Sequence, residues 1–195
     1  MKQVIIIHGG DSFPNYESYL QNLRDKELDY DRLKPKNKWQ DQVVETLIDV
    51  DILLPSMPNK QNAQYHEWEI MFEKLIPFFS NDVQLVGHSL GGMFLVKYLV
   101  RNPLSTPVRR LILLAPGYND KTQQYGNFVI QSAKGLEQSA AEIHIFHSKD
   151  DFVVPYSELE KFKADLPGAI IHSFEDKNHF LDDTFPELIR LLEQK

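Results

Sequence analysis

Residues 83–100 constrain the fold more than any other stretch of the chain. A short apolar run, Val83-Gln84-Leu85-Val86, enters Gly87-His88-Ser89-Leu90-Gly91-Gly92 and continues as Met93-Phe94-Leu95-Val96-Lys97-Tyr98-Leu99-Val100. The pattern predicts a buried strand, a sharp turn and a mostly apolar helix. Gly-x-Ser-x-Gly in that setting is the pattern of a nucleophile elbow, which exposes a serine hydroxyl on a strand-to-helix turn. A strained turn needs close neighbours without side chains, hence small residues two positions before and after the serine. The helix that follows aims backbone N–H groups at the point where an oxyanion would form. The competing reading is a structural Gly-Ser turn. The strand and helix on either side weigh against it and make Ser89 the candidate nucleophile.

Further strands and helices alternate around this unit. Residues 4–7 form a β-branched run bounded by glycines, and residues 50–54, 110–115, 142–146 and 169–173 read as additional strands. Helical spacing is predicted over residues 39–48, with Trp39, Val43 and Leu47 inward and Val44 and Ile48 as further inward candidates. Residues 65–79 read as an amphipathic helix with an irregular last turn at Pro77. Residues 157–166 and 184–192 complete the helices. Residues 11–38 read as a short helix with a charged loop, and residues 116–141 as a helical excursion over the sheet edge. Strand–helix alternation implies a three-layer α/β/α sandwich with a mostly parallel sheet of about six strands, in one domain spanning residues 1–195.

Composition narrows the function. A net charge of −7 argues against a nucleic-acid-binding surface, and the absence of cysteine excludes disulfides and thiolate metal sites. The apolar run at residues 4–7 is too short for a signal peptide core, and no stretch approaches the length of a membrane span. The expectation is a cytoplasmic protein that engages neither nucleic acid nor membrane.

A serine elbow needs a base to take its proton and an acid to orient that base, following in chain order serine, acid, histidine. Asp150 and Asp151 both follow the strand at 142–146. Of the seven histidines, His179 lies after the last strand and before the last helix, where the base belongs. His8 and His88 flank glycines and read as structural, one near the loop after the first strand and the other beside the elbow. His144 and His172 sit within strands, His66 starts a helix, and His147, at a strand end near the acid loop, is the rival to His179.

The elbow, Asp151-Phe152-Val153-Val154-Pro155, Asn178-His179-Phe180 and Ile6-Ile7-His8-Gly9-Gly10 together resemble the α/β-hydrolase superfamily. The small size and Leu54-Pro55-Ser56-Met57-Pro58-Asn59, about 30 residues before the elbow, resemble more narrowly its compact serine hydrolases of the retinoblastoma-binding-protein type. The resemblance is weak over residues 11–38, which look like an insertion. Gly91-Gly92 is closer to lipase-like and esterase-like elbows. The Asp-x-Val-Val-Pro pattern implies Asp151 as the acid, with Asp150 a turn residue or a cap for backbone N–H groups. It also implies an oxyanion hole from the backbone N–H groups of Gly10 and Leu90.

The expected activity is hydrolysis of a small carboxylic ester through an acyl-enzyme on Ser89, with His179 and Asp151, and without metal or organic cofactor. Thioesters and amides suit the same chemistry. Phe13, Tyr16, Tyr19, Tyr118, Tyr125 and Phe128 are candidates either to line an acyl pocket or to pack their segments onto the core. The alternative is a binding or scaffolding module with a vestigial site, its protein partner contacting residues 24–38. Haloalkane or epoxide chemistry would require aspartate where Ser89 stands.

Overall fold

The computed structural model describes residues 2–194. Six strands form one sheet: β1 (Gln3–Ile7), β2 (Asp51–Leu53), β3 (Val83–His88), β4 (Val108–Leu114), β5 (Ala140–Ser148) and β6 (Ile170–Phe174). Their order is β2-β1-β3-β4-β5-β6, and every neighbouring pair is parallel. The helices are α1 (Tyr16–Asp25), α2 (Trp39–Thr46), α3 (Tyr65–Glu73), α4 (Leu90–Arg101), α5 (Glu158–Asp165) and α6 (Pro186–Glu193). This is the expected α/β/α sandwich.

The central strands are apolar without alternation because both faces are covered. Successive side chains point to opposite layers. Ile5, Ile7, Leu85, Leu111 and Leu113 join one core with Trp68 of α3, Phe94 of α4 and Phe162 of α5. Val4, Ile6, Val86, Ile112 and Leu114 join the other with Trp39 and Val43 of α2 and Leu188 and Leu192 of α6. Each fully buried leucine contributes about 2 kcal/mol relative to an exposed one.

Several elements differ from expectation. Helix α2 stops at Thr46, and Val44 and Ile48 are 45% and 84% exposed. Only the Trp39, Val43 and Leu47 stripe meets the sheet. The irregular end expected at Pro77 is present: helix α3 ends at Glu73 and the chain continues as a short 3-10 turn, Ile76–Phe78, around that proline. Proline has no N–H to extend the helix and its ring crowds the preceding turn.

Residues 116–141 are not a helical excursion. They hold only two single 3-10 turns, Gly126–Phe128 and Leu136–Gln138, before β5 begins at Ala140. Gly126 and Gly135 take positive φ, which breaks helical continuity. Several backbone N–H groups of the segment are bound by carboxylates of α5 instead of by helical carbonyls. Residues 11–38 form α1 and a 3-10 turn, Tyr30–Leu33; no residue of α1 is buried.

The chain runs from β1 to β2 on one side of β1 and places β3 on the other. The order therefore reverses between β1 and β3. Loops leaving the carboxyl ends of two such strands diverge to opposite faces and open a crevice. Gly10 leaves β1, and Ser89 leaves β3, at that point.

Candidate active site

Ser89 sits between β3 and α4 with φ 54° and ψ −120°, a conformation in which a residue with a side chain is strained by about 1–3 kcal/mol. Its N–H donates to Leu114 O at 2.8 Å, and its carbonyl accepts from Met93 N–H at 3.2 Å. The flanking glycines are required by close approach. A Cβ on Gly87 would lie 2.7 Å from Gly92 Cα. One on Gly91 would lie 2.4 Å from Ile7 O and 2.6 Å from His8 O. The glycines thus let the start of α4 press against the ends of β1 and β3, which forces the serine outward.

His179 lies in the loop between β6 and α6. Asn178 and Phe180 on either side both take positive φ, at 47° and 52°. His179 Nδ1 lies 2.8 Å from Asp151 Oδ2. Asp151 Oδ1 accepts from Val153 N–H and Val154 N–H at 2.8 and 2.9 Å. Burial opposes ionisation of Asp151, but the bond and charge of His179 and the two backbone donors outweigh it and hold the carboxyl below its ordinary range. An ionised carboxylate only accepts, so Nδ1 is the donor and Nε2 is left to accept.

Asp150 and Ser148 tie this arrangement to the sheet. Ser148 Oγ donates to Asp150 Oδ1 at 2.5 Å and accepts from Lys177 N–H at 2.9 Å. Asp150 Oδ1 also accepts from Asn178 N–H at 2.9 Å. Asp150 therefore binds the histidine loop through the Asn178 N–H, while Asp151 faces the imidazole. Ser148 carried no signal in the sequence beyond its place at a strand end.

The remaining histidines are brought into other roles. His88 is buried, and its Nε2 lies 2.8 Å from His179 O. Burial, then the neighbouring His179, pushes the His88 imidazole down to about 4, so at neutral pH it is an uncharged donor that holds the His179 backbone. His8 Nε2 accepts from Met57 N–H at 2.9 Å and its Nδ1 contacts Gly9 O at 2.6 Å, which orders the loop after β1. His147, the rival base, is buried against Tyr156 with Nδ1 3.3 Å from Ser148 O, and Asp151 bonds His179 instead. His144 Nδ1 and His172 Nε2 are 3.0 Å apart on β5 and β6.

The backbone N–H groups of Gly10 and Leu90 have no acceptor among the described residues. Leu90 is the first residue of α4, where N–H groups lack helical partners. Gly10 is held against the chain at Lys60: a Cβ there would lie 2.5 Å from Lys60 O, and the next N–H, of Asp11, donates to that same oxygen at 2.8 Å.

Two cavities meet at Ser89. The smaller, about 320 Å³, is lined by Gly10, Ser12, Phe13, Leu90, Gly117 and Tyr125 among others. The larger, about 690 Å³, reaches His179. Phe13 and Tyr125 therefore line a cavity. Tyr118 and Phe128 pack in the core, and Tyr16 is exposed.

Two residues of α5 hold the segment that follows β4, without any sequence signal to mark them. Glu158, fully buried, accepts from the N–H groups of Tyr118, Asn119 and Asp120 at 2.6, 2.8 and 3.0 Å and pairs with Lys161. Asp165 accepts from Tyr118 Oη, Ser132 Oγ and Ala133 N–H at 2.5, 2.9 and 2.7 Å.

Among the described residues no group of three His, Cys, Asp or Glu is placed to hold a metal ion, and no helix is long and apolar enough to cross a membrane. Ser89 Oγ makes no hydrogen bond to His179 among the described residues. In a resting site such a bond is often long and shortens when substrate binds.

A parallel sheet with a strained serine at its switch point, and a histidine–carboxylate pair beyond it, defines an α/β hydrolase. The serine hydrolase family model matches residues 32–188, and the chain belongs to that family. It is 23% identical over 167 residues to the serine hydrolase RBBP9 of Rattus norvegicus, covering 79% of this chain and 82% of that protein. The crystal structure of the ydeN gene product of B. subtilis superposes with a TM-score of 0.77 at 21% identity, covering 98% and 97% of the two chains. Est1E of Butyrivibrio proteoclasticus, solved with ferulic acid bound, gives a TM-score of 0.64 at 16% identity, covering 99% and 87%. The family match includes Ser89, Asp151 and His179, and begins after β1 and Gly10.

Proposed function

We propose that this hydrolase cleaves small carboxylic esters by acyl transfer to water, with Ser89, His179 and Asp151 as a triad. The observation that carries the reading is the Asp151–His179 pair at 2.8 Å in the crevice onto which the strained elbow turns Ser89.

In this mechanism Ser89 Oγ attacks the carbonyl carbon as His179 Nε2 takes its proton, and Asp151 stabilises the imidazolium. The N–H groups of Gly10 and Leu90 donate to the oxyanion; one such donor contributes about 3–4 kcal/mol of barrier lowering. The imidazolium then gives its proton to the departing alkoxide. Water, deprotonated by the same histidine, attacks the acyl-enzyme and restores Ser89.

The test is labelling by a fluorophosphonate, read by intact mass. We expect one adduct on the wild type and none on Ser89→Ala, together with loss of ester turnover. Labelling that persists in Ser89→Ala would remove Ser89 as nucleophile. A second reading, a partner-binding module, draws on the exposed Leu28, Tyr30 and Leu33 in the insertion. A folded wild type that takes no label and turns over no ester would favour it.

A further inference from the structure

The two cavities at Ser89 differ in charge. His179 must reach the leaving group to protonate it, so the larger cavity, which His179 lines, is the leaving-group side. The smaller cavity, which Leu90 lines and His179 does not, is left for the acyl group.

The larger cavity is walled by Lys26, Lys38 and Lys60, and the smaller has no lysine on its wall. The chain has 28 acidic and 21 basic residues, so carboxylates are in excess. Lys34, Lys149, Lys161, Lys163 and Lys177 each pair with one. The ammonium groups of Lys26, Lys38 and Lys60 have no carboxylate partner among the described residues; the Asp41 carboxylate beside Lys38 accepts its backbone N–H instead, at 2.8 Å. Asp11 and Asp182 share the wall without pairing with them.

All three lysines hang from anchored backbone. Lys60 O accepts from Asp11 N–H beside Gly10. Lys38 precedes Trp39, which is buried with its ring edge-on to His88 and Phe185. Lys26 caps α1, its N–H donating to Asn22 O. An adjoining depression adds Lys36 beside Lys34, with Asp183. Like charges lining a cleft between low-dielectric surfaces focus their field into it and raise the local concentration of the opposite charge.

Resting on the serine hydrolase reading above, we propose that the substrate is a small acyl ester whose leaving group carries a negative charge, a carboxylate or a phosphate. Lys38 and Lys60 bind that anion beside His179, and Lys26 adds its charge to the lining of the same cavity. The ammonium groups determine specificity by holding the leaving group and take no part in bond making.

Three acetyl esters test this: methyl 3-acetoxybenzoate, which is neutral, 3-acetoxybenzoate, and 3-acetoxyphenyl phosphate. The two anions separate carboxylate from phosphate recognition. We expect kcat/KM for the better anion to exceed that for the neutral ester by about tenfold, mainly through KM, with most of the excess lost in about 0.5 M KCl. The anion-to-neutral ratio should fall about five- to tenfold in Lys38→Gln/Lys60→Gln and invert in Lys38→Glu/Lys60→Glu. A ratio near one in the wild type, or one that the lysine variants leave unchanged, overturns the proposal while neutral-ester turnover and fluorophosphonate labelling still support the hydrolase reading. Absence of labelling and of turnover for all three esters overturns that underlying reading.

Discussion

Gly91→Ala is the sharpest perturbation of the elbow. The added Cβ would stand 2.4 Å from Ile7 O and 2.6 Å from His8 O, where carbon and oxygen normally approach no closer than about 3.2 Å. Helix α4 or the end of β1 must therefore move by roughly 0.6–0.8 Å, and neither contact is with a flexible side chain. Overpacking of this kind costs about 1–3 kcal/mol, and more where only backbone can yield. Alanine returns about 1 kcal/mol through its better helix propensity. The expected net loss is about 2 kcal/mol in urea unfolding followed by far-UV circular dichroism. The same shift separates the Leu90 and Gly10 N–H groups, so kcat for an ester should fall by about tenfold or more even where the protein is fully folded. Gly168→Ala is the control, because a Cβ there meets nothing within 4 Å; its stability should change by less than about 1 kcal/mol. Equal stability and kcat in Gly91→Ala and Gly168→Ala would refute the argument that close helix–strand approach dictates this glycine.

Two further outcomes are expected. Between the ordinary imidazole value of 6.5 and the native value of about 4, the unfolded chain holds a proton at residue 88 that the folded chain does not, so stability falls as pH falls through this window. Lowering pH from 7.5 to 5 should cost about 2 kcal/mol through His88 alone. His88→Gln keeps a donor for His179 O and should show a correspondingly shallower loss; identical pH profiles for the two proteins would contradict it. Removing the buried acceptor in Glu158→Ala should cost about 3 kcal/mol and raise hydrogen exchange at residues 118–120 more than in β5. Uniform protection of those amides in the variant would show that the carboxylate does not hold the loop.

The strands were legible in the sequence because burial on both faces leaves runs such as Val4-Ile5-Ile6-Ile7 and Leu111-Ile112-Leu113-Leu114 with no polar interruption. The elbow was legible because a strained serine restricts its neighbours to glycine within two positions, a constraint that survives in local spacing; His179 was marked by its place between the last strand and the last helix, and Asp151 was favoured over Asp150 by the family resemblance alone. The helical reading of residues 116–141 went wrong for the opposite reason. That segment takes its backbone partners from Glu158 and Asp165, which lie some 30 to 40 residues further along the chain, and local periodicity carries no trace of them.

What the sequence by itself determined is the α/β class, the elbow and the histidine loop, each written in contiguous residues whose spacing follows from backbone geometry. Only the tertiary structure decided that Asp151 rather than Asp150 meets His179, and that His88 and Ser148 brace the histidine loop from the ends of other strands. It alone brought Lys26, Lys38 and Lys60 into the lining of one cavity with Ser89. Hydrogen bonds and fields depend on distance in space, and the order reversal between β1 and β3 places at one crevice residues that the chain keeps far apart.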